Sequence, residues 1–158
     1  MASGWDNLWV AVSSAAAALT GLLFVAVSIN LARIMAFPTL PGRAAEALIV
    51  MFSALVSALF GLMPQGHMSL GIEWAATGAL VIAIATTIQV RSRQKRSSEE
   101  RPLFRVLSAQ GVAVVYVVGG GFAIAGSHDA PYWIVAGCIV ALMAGVFDAW
   151  VLLVEILR

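Results

Sequence analysis

Five long apolar runs, separated by short polar segments, limit what this chain can fold into more than any other feature of its sequence. A helix needs about 20 apolar residues to cross about 30 Å of hydrocarbon, and each run is about that long or longer. Hydrophobic residues make up 61% of the chain and charged residues only 11%, a balance unlike that of a soluble domain of this size. The sequence therefore predicts an all-α integral membrane protein, a bundle of five transmembrane helices.

The boundaries of the runs predict a single domain over residues 1–158. The predicted spans cover residues 8–36, 44–63, 72–90, 103–126 and 132–157. All five prolines lie at or between the ends of these runs, as expected if each run is an uninterrupted helix. A basic loop at residues 91–102 separates the third span from the fourth and is the only long charged stretch.

The positions of the basic residues predict how the chain sits in the membrane. All nine Lys and Arg residues lie at alternate ends of the five spans, and therefore on one side of the membrane. The positive-inside rule makes that side cytoplasmic, with the N-terminus outside and the C-terminus inside. The opposite side carries Asp6, Glu73 and Asp129 and no Lys or Arg. Tryptophans also lie at that side, where we expect their rings in the headgroup layer: Trp5, Trp9, Trp74 and Trp133.

An acidic residue within the last apolar run is the strongest functional candidate. A charged side chain at the bilayer centre costs about 2.5–3.5 kcal/mol, so Asp148 should be protonated, paired or beside water. Asn30 and Gln110 lie at a similar depth in other runs and predict a polar layer in the cytoplasmic third. Such a layer is either a hydrogen-bond network that holds the bundle together, at about 0.6 kcal/mol per bond, or part of a functional pathway.

Two further acids belong to the same inner region. Glu46 and Glu155 each lie three residues from an arginine, Arg43 and Arg158 respectively. Exposed pairs of this kind are usually worth under about 1 kcal/mol, so we expect solvated pairs near the membrane boundary.

Two ladders of small residues at helical spacing predict close helix packing. They are Ser53, Ser57 and Gly61 in the second span and Gly137, Ala141 and Gly145 in the last. Because lipid offers little hydrophobic gain from helix association, backbones must approach closely to gain dispersion contacts. Such ladders occur within bundles and between subunits, and five helices enclose little interior, which favours a homo-oligomer.

Catalytic and cofactor motifs are missing from the sequence. His67, His128 and Asp129 fall on the predicted outer side and could meet at a metal, but they lack any ligand-spacing motif, so we expect no cofactor. The single cysteine, Cys138, fits a packing role. The net charge of +1 argues against a nucleic-acid partner. We therefore expect a non-enzymatic protein whose constant partner is the lipid bilayer.

Three segments resemble a family of small bacterial membrane proteins. They are residues 19–31 (LTGLLFVAVSINL), 37–48 (FPTLPGRAAEAL) and 149–158 (AWVLLVEILR). Members of that family are functionally uncharacterised and are sometimes labelled modulators of the membrane-bound AAA protease FtsH. The resemblance implies a multi-pass protein of the bacterial inner membrane, and it transfers no site residue.

Two functional hypotheses follow. The first is a small homo-oligomeric channel or transporter for protons or cations, with Asp148 as its polar station and the outer acids concentrating cations by their field. The second is a regulatory or accessory subunit of a larger membrane complex such as an AAA protease, docking through its small-residue faces or its basic loop.

Overall fold

Helices make up all the regular structure of the described residues. The computed structural model describes residues 4–38, 40–93 and 102–157. The helices are α1 (Asp6–Ile29), α2 (Leu31–Ala36), α3 (Leu40–Leu62), α4 (His67–Arg93), α5 (Pro102–Ile124) and α6 (Ala130–Leu157). The prediction of an all-α bundle is confirmed.

Four helices are long and apolar enough to cross a membrane. They are Asp6–Ile29, Leu40–Leu62, His67–Arg91 and Ala130–Val151. The fifth predicted span corresponds to α5, whose described apolar part, Ala109–Ile124, is shorter. Length and composition thus suit a membrane protein.

The first predicted span differs from prediction because a break separates α1 from α2. Asn30 has φ −98° and ψ 11°, outside helical geometry. Its backbone N–H and its side-chain Nδ2 both donate to the carbonyl oxygen of Ala26, at 3.3 and 2.9 Å. Asparagine side chains compete in this way for backbone acceptors, which explains why the helix is interrupted there.

Helix α3 begins earlier than the proline-rich turn predicts. The sequence predicts a turn that runs to Arg43, whereas α3 starts at Leu40 and includes Pro41 in its first turn. A proline is tolerated there because the first N–H groups of a helix have no intrahelical acceptor. This start places Glu46 in the second turn of α3 rather than at its end.

The bundle is arranged around α3, which packs against α1, α4 and α6. Helix α5 packs against α4 and α6. The largest side chains with almost no exposure lie between these helices: Trp74, Tyr116, Ile34, Met51, Ile134 and Val112. The interior is therefore filled by side chains from several helices.

Glycines bring the backbones of α4 and α5 into direct contact. A Cβ atom added at Gly78 would lie 2.6 Å from the carbonyl oxygen of Ala113. One added at Gly71 would lie 2.7 Å from the carbonyl oxygen of Gly120, and one at Gly120 would lie 2.6 Å from that of Gly71. In the glycine triplet 119–121, Gly120 thus serves the close approach of the two helices.

A left-handed glycine follows the end of α5, at the start of the turn that leads to α6. Gly126 has φ +75°. Its N–H donates to the carbonyl oxygen of Ala123, and the N–H of Ser127 donates to that of Phe122, both at 2.9 Å. This pairing satisfies carbonyls that the end of α5 would otherwise leave open and turns the chain sharply into α6.

Alanine at Gly78 should destabilise the bundle by about 1–3 kcal/mol, because the new methyl group meets backbone that cannot move aside. The control is Gly111→Ala on α5, where nothing lies within 4 Å of an added Cβ atom. That change should leave stability unchanged or raise it by up to about 1 kcal/mol through helix propensity. Unfolding in mixed detergent micelles, followed by circular dichroism, measures both. Equal stabilities would contradict the close contact between α4 and α5.

Candidate functional site

One end of the bundle buries an acidic side chain for which the sequence predicts a solvated position. We call this end, which the sequence predicts to be cytoplasmic, the inner end, and the opposite end the outer end. Glu46 is only 3% exposed. Its position in the second turn of α3 places it on the face that packs into the bundle, together with Ala47 and Val50. The expectation that Glu46 is solvated is therefore wrong, because α3 starts earlier than the sequence pattern suggests and this face of the helix packs into the bundle.

Asp148 lies on α6 at about the same depth as Glu46. Gly145 of α6 contacts Met51 of α3, and Ala149 packs into the cluster formed by Ala47 and Met51. From Gly145 to Ala149 along α6, the contacts move back from Met51 to Ala47 along α3, so the two helices are antiparallel. Asp148 and Glu46 therefore lie at about the same level on neighbouring helices. Asp148 is half-buried rather than fully exposed. The structure thus places two acids at one level within the apolar part of the bundle, on neighbouring helices.

The other predicted members of the polar layer make hydrogen bonds elsewhere. The amide of Asn30 donates to Ala26 of its own chain segment, at 2.9 Å. The amide of Gln110 donates to the hydroxyl of Thr86 on α4, at 3.0 Å. The Asn30 bond stays within its own chain segment, and the Gln110 bond joins α5 to α4. Neither bond involves Asp148. The side chain of Glu155 lies outside the described part of the chain.

Helix α3 carries a row of buried polar side chains from Glu46 toward its outer end. Ser53 is 4% exposed and Ser57 is 0% exposed. Together with Glu46 they follow at intervals of seven and four residues, which places all three on one helix face. The hydroxyl of Ser53 donates to the carbonyl of Val50 at 2.6 Å. We call Glu46, Ser53 and Ser57 the α3 polar row.

Side chains from α5 and α6 meet this row near the middle of the bundle. The hydroxyl of Tyr116 donates to the sulfur of Cys138 at 3.6 Å, and that thiol lies 3.8 Å from the carbonyl oxygen of Ala54 on α3. The hydroxyl of Tyr116 also lies near the hydroxyls of Ser53 and Ser57, although the buried Oγ of Ser57 makes no hydrogen bond within the described residues. Cys138 therefore has more than the packing role expected of it, since it connects Tyr116 to α3.

Tryptophans continue the buried region to the outer end. The indole Nε1 of Trp74 donates to the carbonyl of Ser57 at 3.0 Å, and the ring of Trp74 lies 5.8 Å from that of Trp9 between centroids. Trp9 and Trp74 are 3% and 1% exposed. The expectation that both rings lie in the headgroup layer is therefore wrong. Gly61 leaves room for the Trp9 ring, because a Cβ atom there would lie 2.7 Å from it.

Above these rings a cavity of about 440 Å³ opens at the outer end. Its lining includes Trp5, Trp9, Gln65, His67 and Trp74. The Nδ1 of His67 lies 3.2 Å from the carbonyl oxygen of Ala123. We call this space the outer cavity.

The residues considered for a metal site lie in two places. His67 lines the outer cavity, whereas His128 and Asp129 line a neighbouring depression with Trp5 and Tyr132. Within the described ranges, no group of three or more His, Cys, Asp or Glu residues is placed to hold a metal ion.

The six residues of the predicted small-residue ladders lie at helix contacts inside the chain. Ser53, Ser57 and Ala141 are buried, and Cβ atoms at Gly61, Gly137 and Gly145 would meet Trp9, Tyr116 and Met51. These faces are occupied within one copy. A different surface must therefore serve any subunit contact.

An apolar groove of about 720 Å³ is such a surface. Its walls come from α1, with Gly21 and Phe24, and from α4, with Leu80 and Ile84. Phe52 of α3 also lines it. Phe24, Phe52 and Leu80 are more than half exposed, so the groove is open to the surroundings of the bundle. We call it the α1–α4 groove.

No protein family, curated protein or solved structure matches the chain. The resemblance to modulators of the FtsH protease stays a prediction, and the function has to be argued from the geometry of the bundle.

Part of this site is visible in the sequence and part is not. The spacing of Glu46, Ser53, Ser57 and Gly61 is by itself enough to place an acid and small residues on one helix face. The contribution of Tyr116 depends on how α5 is rotated about its own axis. Periodicity within α5 does not determine that rotation.

Proposed function

We propose that the protein conducts protons across a bacterial inner membrane, in a non-enzymatic role, with Glu46 and Asp148 as the groups that take up and release them. The observation that carries the proposal is the burial of Glu46, 3% exposed, at the level of Asp148 and below a row of buried hydroxyls. Ionisable residues inside a membrane are costly and typically mark ion or proton pathways.

The packing of the interior favours protons over hydrated cations. Ser57, Tyr116 and Cys138 are each 0% exposed, which leaves no room beside them for an ion with its water shell. Protons need only hydroxyl groups and transient water molecules. At 1.5 Å per residue, Glu46 and Ser53 are separated by about 10 Å along the axis, a gap that such water would bridge.

The proposed topology has five spans, with the N-terminus outside and the C-terminus in the cytoplasm. Helix α5 has 23 residues and lies with its backbone against α4, itself long enough to span. A helix paired so closely with a spanning helix would span as well. This orientation places the two acids near the cytoplasm and the outer cavity on the other side, at opposite ends of the α3 polar row.

Oligomerisation, which the sequence analysis favours, is not needed for the pathway. Each copy would carry its own α3 polar row, since Tyr116 and Cys138 belong to the same chain as Ser53 and Ser57. The conducting unit we propose is therefore present in each subunit of a homo-oligomer.

Removing the titratable acids should abolish conduction. In liposomes containing purified protein and a trapped pH-sensitive dye, Glu46→Gln and Asp148→Asn should each lower proton flux about tenfold or more, because a positioned proton-transfer group typically contributes at least 10²-fold. Both substitutions preserve side-chain shape and hydrogen bonding while removing the charge.

The control is Asp6→Asn, which neutralises an exposed acid at the outer end of α1. It should leave proton flux within about twofold of the wild type, since exposed charges are screened and weakly coupled. Unchanged flux in both Glu46→Gln and Asp148→Asn, with the protein folded, would rule out the proposed mechanism.

The α1–α4 groove favours a second candidate function, that of an accessory subunit. The groove lies between two helices long enough to span the membrane and contains the small residues Ala17 and Gly21. Small residues allow a transmembrane helix to approach closely. The occupant we propose is a transmembrane helix of a membrane-bound AAA protease, the partner class that the sequence resemblance implies.

Leucine at Gly21 should test that role without disturbing the fold. Nothing lies within 4 Å of a Cβ atom at Gly21, so the new side chain would extend into the groove. Gly145→Leu would instead clash with Met51 inside the bundle. If the groove holds a protease helix, Gly21→Leu should reduce co-purification of the protease about tenfold or more in mild detergent, because overpacking a helix contact costs about 1–3 kcal/mol.

The matched control is Gly111→Ala, which also adds atoms to open space, but on α5. It should leave co-purification unchanged. Equal recovery of the protease with Gly21→Leu and the wild type would contradict docking in the groove. A change from oligomer to monomer without loss of protease would assign the groove to a second copy of the chain.

A further inference from the structure

We propose that the outer cavity binds an organic cation, namely a quaternary or aromatic ammonium ion. The cavity, of about 440 Å³, falls in the range of about 300–1,000 Å³ that is typical of small-molecule sites. It has no part in the α3 polar row itself, so its ligand can be tested separately from proton conduction.

Three indole rings lie along the cavity, and the half-buried Trp5 offers a cation the most accessible ring, since Trp9 and Trp74 are only 3% and 1% exposed. Trp5 is half-buried beside the cavity, and its ring centroid lies 6.3 Å from that of Trp9. Trp9 in turn lies 5.8 Å from Trp74, so the rings form a continuous series along the cavity lining. Trp is the strongest aromatic partner for ammonium groups, and aromatic rings are a common means of recognising quaternary ammonium ligands.

Anchoring at the membrane surface does not explain these rings. Interface tryptophans contact headgroups, as Trp133 can with 42% exposure and its ring stacked on Phe122. Trp9 and Trp74, by contrast, are almost fully buried and line a cavity within the protein. Their burial points to a role inside the bundle.

A carboxylate is held directly beside the cavity. Gln65 lines the cavity, and its side-chain Nε2 donates to Oε2 of Glu73 at 2.5 Å and lies 3.2 Å from the carbonyl oxygen of Phe60. These bonds fix the position of Glu73 behind the Gln65 amide. Its negative charge would favour a cationic ligand over a neutral one of the same shape.

His67 presents a compatible group to the cavity. A carbonyl oxygen only accepts hydrogen bonds, so the bond to Ala123 requires the proton to be on Nδ1 of His67. In the neutral ring this leaves Nε2 as an acceptor, a group that can receive a hydrogen bond from the hydroxyl of a ligand such as choline.

The charge distribution at this end of the chain also favours cations. Asp6, Glu73 and Asp129 lie there, and within the described residues no Lys or Arg does. A field of one sign raises the local concentration of ligands of the opposite sign. Small metal cations prefer oxygen ligands, whereas the described lining of this cavity holds three tryptophans and no carboxylate, so an organic ammonium ion fits better.

Choline and its uncharged carbon analogue, 3,3-dimethylbutan-1-ol, form a matched pair of probes. Binding is measured by tryptophan fluorescence and calorimetry on the full chain in dodecyl maltoside, whose uncharged headgroup does not compete. We expect choline to bind at least about tenfold more tightly than the alcohol, since the two differ mainly in charge and cation–π attraction acts on charge. Equal affinities would overturn the proposal.

Substitutions of single acids distinguish a local cation site from a general electrostatic attraction by all the acids at this end of the bundle. Glu73→Gln should weaken choline binding about tenfold, because the nearest fixed charge is lost, and should leave binding of the alcohol unchanged. Asp129→Asn removes the same charge outside the outer cavity and should change choline affinity by less than about twofold. If both substitutions weaken choline equally, the attraction is a diffuse field and the site is refuted.

A second pair of variants tests the aromatic contribution. Trp5→Leu should weaken choline by about three- to tenfold through loss of a ring, whereas Trp133→Leu, outside the cavity, should not. Each variant is checked for an unchanged elution volume and melting temperature, and Trp5 is half-buried at the chain end, so its loss should not prevent folding. Equal affinity in Trp5→Leu and the wild type would contradict an aromatic site.

The outcome is independent of the flux measurement. Glu46→Gln should leave choline affinity unchanged while it abolishes proton flux. If the protein binds choline but does not conduct protons, the cation site is supported and the proposed proton conduction is wrong. If it conducts protons but does not bind choline, the conduction is supported and the cation site is wrong.

Discussion

A carboxyl group placed among apolar helices requires compensating interactions, and the arrangement of this bundle follows from that requirement. Two acids, Glu46 and Asp148, lie at one level on the neighbouring helices α3 and α6. The contact of Gly145 with Met51 sets this level by holding the two helices close together. Burial of an ionisable group costs free energy unless it is paired or can exchange its proton. The cost is the reason to treat these acids as functional.

The close packing of α4 and α5 provides a rigid support for the rest of the interior. Glycines at 71, 78 and 120 let the two backbones touch, and this pair then presents Trp74 and Tyr116 toward α3. In lipid, such contacts rather than hydrophobic burial hold helices together. Small residues therefore position the large aromatic ones. The ladder residues are used within one chain, whereas the α1–α4 groove is an apolar surface that stays open to a partner.

Hydropathy predicts most of the fold, because the cost of exposing polar groups to lipid acts over a whole helix. Hydropathy also identifies Asp148 as an acidic residue within an apolar, membrane-spanning run. It does not predict which way each helix is rotated. For that reason Gln110 is predicted beside Asp148 but donates to Thr86, and Trp9 is predicted at the lipid surface but lies inside. The prediction for Glu46 fails for a different reason, since Pro41 suggests a turn where α3 has already begun.

The central claim is that acids buried at the inner end of the bundle exchange protons with water. Infrared difference spectroscopy of the protein in lipid, recorded across a pH titration, measures this most directly. The account predicts a carboxyl band that changes reversibly with pH and loses intensity in Glu46→Gln and in Asp148→Asn. A spectrum in which neither substitution removes any pH-dependent carboxyl signal would contradict it, because the two acids would then hold fixed protonation states and serve only to join helices.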